Sequence, residues 1–83
     1  MNMSDDIVKA FNDQITLELT ADITYRQLAI EADAQDLSGV ATWLRHQADE
    51  EIVHANKFID HVLDRGNHPR IGTIEACLLY TSP

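Results

Sequence analysis

Apolar and small residues recur along the first part of the chain at alternating steps of four and three. Phe11, Ile15, Tyr25, Ala29 and Ala32 fall on one line, and Glu18 and Asp22 stand inside it. That spacing puts all of them on one face of an α-helix. No Gly or Pro interrupts the segment from Ser4 to Ala34, and Ser4-Asp5-Asp6 supplies an N-cap and negative charge against the helix dipole. The pattern predicts a first helix over about 5–34.

The stretch Asp33-Ala34-Gln35-Asp36-Leu37-Ser38-Gly39 breaks the periodicity, with Asp36 or Ser38 as the expected N-cap of a second helix over about 37–65. Val40, Leu44, Gln47, Glu51, His54 and Phe58 mark its expected inner face, flanked by Ala41, Ala48, Ala55 and Val62. Gly66 is placed for a left-handed C-cap, and Pro69 follows as a stop. Each helix would be roughly 40 Å long, and the short connection makes the two antiparallel neighbours. The expected fold is all-α: a two-helix hairpin whose broad apolar faces call for a four-helix bundle, completed by two further helices or by a second copy. Residues 66–75 lose helical periodicity and read as the start of a crossover.

Composition narrows the function. The chain of 83 residues is 45% hydrophobic and 24% charged, ordinary for a packed helical protein. Acidic residues outnumber basic ones by 14 to 6, and no Lys/Arg cluster follows a phosphate backbone, so a nucleic-acid partner is not expected. No apolar run approaches the ~20 residues that span a bilayer, and Met1 to Asp6 carries neither a basic nor an apolar leader; the expectation is a cytoplasmic protein without a membrane partner. Cys77 is the only cysteine, which excludes an internal disulfide.

The candidate chemistry lies in Glu51-Ile52-Val53-His54, which sets a carboxylate and an imidazole at i and i+3, within reach of one metal ion. Glu18 stands on the apolar face of the first helix, where an unpaired carboxylate would cost several kcal/mol. In a hairpin turning near Asp36 it lies at about the height of Glu51. One Glu opposite Glu-x-x-His is half the ligand set of bundle di-iron proteins; a buried polar network without metal is the alternative.

Phe11-Asn12-Asp13-Gln14-Ile15-Thr16-Leu17-Glu18-Leu19, Tyr25, Ala48-Asp49-Glu50-Glu51-Ile52-Val53-His54 and Gly66-Asn67-His68-Pro69-Arg70, in that order and spacing, resemble a bacterial non-haem ferritin over about Ile7 to Glu75. The resemblance implies helices A and B of a four-helix bundle that assembles as a cage, a homo-oligomer that oxidises Fe(II) with dioxygen and stores Fe(III) oxide. It makes Glu18 a terminal ligand of one iron, His54 the nitrogen ligand of that iron and Glu51 the carboxylate bridging two irons. Tyr25 matches the tyrosine beside the centre, and Glu50 a carboxylate of a third iron site. Haem is not expected, because bacterioferritins place an axial Met immediately after the bridging Glu and Ile52 stands there.

Asp22 departs from the small residue that the resemblance leads one to expect, and water, a partner across the hairpin or passing iron all remain open for it. His46, His61 and His68 have no partner at ligand spacing on the inner face and are expected at the surface, and Trp43 is expected to pack in the bundle or against another subunit. Two other readings stay open: a short two-helix oxidase acting as a homo-oligomer, like encapsulated ferritin-like proteins, and a non-catalytic helical-hairpin module. The second gives no reason for Glu18 on an apolar face. Residues 76–83, ending CLLYTSP, read as a non-native tail similar to a translated sequencing adapter.

Overall fold

Ser4 opens the first helix, its hydroxyl accepting the Ile7 amide at 3.3 Å while Asp5 and Asp6 occupy the first turn. In the computed structural model, which describes residues 3–75, α1 runs Asp5–Ala34 and α2 runs Ser38–Asp64. The expectation about 76–83 concerns residues outside those described. No helix among the described residues is long and apolar enough to cross a membrane.

Both helices end in the same way. Asp36 takes φ 60°, its amide donates to Asp33 O at 3.0 Å, and the Leu37 amide reaches back to Ala32 O at 2.9 Å. At the end of α2, Gly66 takes φ 76°, its amide donates to Leu63 O at 2.9 Å, and the Asn67 amide reaches Val62 O at 3.1 Å. These are paired Schellman closures, one on the expected glycine and one on an aspartate, a residue that tolerates the left-handed region better than most. Neither Asp36 nor Ser38 caps α2. Asp36 is committed to closing α1, Ser38 is already helical, and Leu37 stands at the N-cap with no side-chain hydrogen bond.

The seam between the helices is narrow and built mostly of small residues. Ala29, Ala32, Ala41 and Leu44 form a cluster at the turn end, with Tyr25 packed against it. Ala41, Ala48, Ala55 and Val62, seven residues apart, are 0–1% exposed and press onto α1. The inner face of α2 is therefore centred on the alanines expected to flank it. Val40 is 50% exposed, and it shares a second stripe with Gln47 and His54, one position round the helix. A single neighbouring helix covers one stripe, which leaves this second one open. Leu17 and Trp43 are also exposed, and Ile15 and Val62 are the only large side chains fully buried among the described residues.

After Gly66 the chain turns back as a strap along α1. Asn67 Oδ1 accepts the Met3 amide at 3.0 Å, the Arg70 amide donates to Asn12 Oδ1 at 2.9 Å, and the Gly72 amide donates to Thr16 Oγ1 at 2.8 Å. Two extended residues advance about 6.7 Å and four helical residues about 6 Å, so strap and helix stay in step over this distance. A Cβ on Gly72 would stand 3.3 Å from Thr16 Oγ1, closer than packed atoms ordinarily come. Glycine permits the approach.

Candidate metal centre

The antiparallel pairing brings Glu18 of α1 level with Glu51 and His54 of α2. One ligand atom from each lies within 4.8 Å of the other two, the single such group of His, Cys, Asp and Glu among the described residues. His54 Nδ1 is 3.6 Å from Glu18 Oε2 and 3.7 Å from Glu51 Oε2. A first-row divalent cation with bonds of about 2.1 Å sets neighbouring ligand atoms about 3.0–3.4 Å apart, so a small contraction of this triangle would close it on an ion. The donors suit such an ion: two carboxylates balance its charge, and the imidazole offers a borderline-soft nitrogen.

Electrostatics give the same picture. The carboxyl groups of Glu18 and Glu51 lie beside each other, where one shared proton would satisfy both. The bond to Glu18 and burial hold Glu51 above the ordinary carboxylate value, while the bond from Glu51 holds Glu18 below it, aided by Gln14 and His54. Gln14, one turn before Glu18, donates from Nε2 to Glu18 Oε1 at 3.0 Å. The side chains of Glu18 and Glu51 are largely covered, whereas that of His54 is 47% exposed, on the open stripe of α2.

The remaining candidates lie apart from this triangle. Glu50 is exposed and faces His46, whose Nε2 is 3.7 Å from Glu50 Oε1, beside a shallow cleft lined by Asp49 and Val53. Tyr25 sits two turns along α1 from Glu18, against the cluster at the turn end. His61 stacks on Phe11 with ring centroids 5.1 Å apart, and Phe58 meets Phe11 edge-on at 5.8 Å. His68 and Trp43 are exposed. Asp22 is buried in the seam and finds its partner one turn on, where Arg26 Nε approaches Oδ1 at 2.8 Å. Gln14 and Arg26 are the neighbours that sequence reasoning missed. Their i−4 spacing from Glu18 and i+4 spacing from Asp22 were the available signals.

The family described as ferritin-like domain matches residues 8–80. The chain is 34% identical over 71 residues to a bacterial non-heme ferritin of Escherichia coli O6:H1, covering 86% of this chain and 43% of that protein. It is 34% identical over 74 residues to one of Staphylococcus epidermidis, covering 89% and 45%. Among solved structures, an open pore ferritin from Archaeoglobus fulgidus superposes with a TM-score of 0.89 at 32% identity, over 100% of this chain and 52% of that one. Chlorobium tepidum ferritin superposes at 0.88 with 26% identity, over 96% and 50%. The chain thus spans about half the length of the relatives it matches, and its hairpin is half of a ferritin-like four-helix bundle. By its helices, their order and the family match over 8–80, the chain belongs to the ferritin-like domain family.

Proposed function

We propose that this segment supplies half of a di-iron oxidation site in an iron-storage protein, a ferroxidase that takes Fe(II) as substrate and works within a multi-subunit homo-oligomeric cage in the cytoplasm. The observation that carries the reading is the convergence of Glu18 from one helix with Glu51 and His54 from the other within 4.8 Å. Glu18 and His54 act as terminal ligands of one Fe(II), with Glu51 bridging to a second. Each Fe(II) yields one electron, so a pair reduces one dioxygen, with two protons, to hydrogen peroxide. Holding two ions together is what the bridging carboxylate contributes.

The hairpin offers three donors, and the second ion needs further carboxylates from two more helices. The strap over residues 67–75 supports the form of bundle with a long crossover over the pairing of two short copies. Glu50 serves as an outer carboxylate for a third, weaker iron site. Tyr25, two turns along α1 from Glu18, serves as an oxidisable side chain on the turn side of the centre. Haem has no place in this assignment, since Ile52 offers no donor atom.

The test is oxygen-dependent Fe(III) absorbance after Fe(II) is added to the full-length protein that carries this segment. Rapid appearance in the parent and its loss in Glu18→Ala support the assignment. Absence of oxygen-dependent oxidation in the parent would overturn it.

A further inference from the structure

Asp22 is the one charged residue buried in the seam among the described residues. Its Oδ1 is sealed from solvent and accepts no hydrogen bond, although Arg26 Nε lies 2.8 Å away, off the line of its N–H. Charge rather than a directed bond holds that contact. The other end of the same guanidinium donates from Nη2 to Asp49 Oδ1 on α2 at 2.7 Å. Arg26 therefore ties the two helices together beside the metal cluster, since Asp22 follows Glu18 by one turn and Asp49 precedes Glu51 by two residues.

The tie stands between the cluster at the turn end and the Phe11–Phe58–His61 stack, where the α2 side of the seam is built of small residues. The second arginine link between the helices, Arg45 to Asp33, lies near the turn, where the connecting loop already holds them. Around the cluster the α2 seam is Ala48 and Ala55. Small side chains interlock less than large ones, so they resist axial sliding less. An axial slip of one residue is ~1.5 Å. That shift is large against ligand separations of 3.6 and 3.7 Å.

We propose that Arg26 is a positioning residue of the Glu18–Glu51–His54 centre, bridging Asp22 to Asp49 so that α1 and α2 keep the relative height at which the three ligands converge. This rests on the metal-centre reading above. The planar guanidinium matters because its fork serves two acids at once, whereas a lysine ammonium is a single point of charge on a flexible stem.

The experiment titrates Co(II) alone into the full-length protein and follows the visible absorption, with far-UV circular dichroism as a check on folding. Arg26→Met should weaken Co(II) binding by about tenfold, the lower end of the range for residues that support ligands, and should alter the spectrum. Arg26→Lys should recover part of the affinity. Asp49→Ala removes the α2 end of the bridge at an exposed site without stranding a buried charge, so it should weaken binding a few-fold with helicity unchanged, and it decides the matter if Arg26→Met unfolds. Parental affinity and spectrum in Asp49→Ala and Arg26→Met would overturn the positioning role. If the parent itself gave no Co(II) absorption that His54→Ala removes, the metal-centre reading would fall and the role of Arg26 with it, an outcome distinguishable from the first because it appears before any Arg26 variant is made.

Discussion

His54 Nδ1 lies 3.6 Å from Glu18 Oε2, and the two residues come from different helices joined by a three-residue loop. Neither helix alone assembles the cluster, because α2 contributes Glu51 and His54 while α1 contributes Glu18. Ligand convergence is thus a property of the closed hairpin, and a cation that binds there must favour the closed form over the open one.

The carboxyl pair predicts an unusual pH dependence for the metal-free protein. Glu51 is raised by its bond to Glu18 and by burial. Its contribution to stability is complete below the ordinary value of 4.5 and is lost as pH rises through the raised folded-state value. Glu18 is lowered, so its contribution is present above 4.5 and is lost as pH falls through the lowered value. For this pair the optimum lies in mildly acidic solution, and stability declines toward neutrality. Thermal unfolding of the full-length protein across that range should show the decline, Glu51→Gln should flatten it, and a saturating divalent cation should reverse it. A decline that persists unchanged in Glu51→Gln would place its origin elsewhere.

The two Schellman closures predict opposite effects of glycine chemistry. Asp36 pays for φ 60° with steric crowding at its Cβ, so Asp36→Gly should stabilise the protein by about 0.5–1 kcal/mol. Gly66 already occupies φ 76°, so Gly66→Ala should destabilise by about 1 kcal/mol. Urea unfolding midpoints measure both, and stabilisation by both substitutions would contradict the assigned backbone geometry.

The strap depends on two side-chain acceptors of α1. Thr16→Val keeps the shape but removes the oxygen that takes the Gly72 amide, and the contact is exposed, so the loss should be small, about 0.5 kcal/mol. Hydrogen exchange is the sharper probe. The Gly72 amide should lose protection in Thr16→Val while the Arg70 amide, held by Asn12, largely keeps it. Equal protection of Gly72 in parent and variant would show that the strap is held otherwise.

Helix limits were legible from local signals, since Ser4, Gly66 and Pro69 act within a few residues of themselves. The predicted start at 5 and end at 34 coincide with α1, and α2 is one residue shorter at each end than the predicted span of 37–65. The cap of α2 was misread because Asp36 has two possible uses, N-cap or left-handed closure, and only the backbone of the finished loop decides between them. The stripe of α2 that meets α1 was misplaced by one position, because periodicity reveals a broad apolar face without saying which edge of it one neighbour covers. The pairing of Glu18 with Glu51 and His54 was visible from equal distance to the turn. The link from Asp22 through Arg26 to Asp49 was not, because it depends on a flexible side chain crossing between helices.

The most direct test of the di-iron assignment compares Glu51→Ala with His54→Ala in the full-length protein, reading initial Fe(III) absorbance after anaerobic Fe(II) loading and oxygen addition. Glu51 is assigned to both ions and His54 to one, so Glu51→Ala should slow oxidation more than His54→Ala, and each should slow it by at least tenfold relative to the parent. Parental rates in Glu51→Ala would contradict the account.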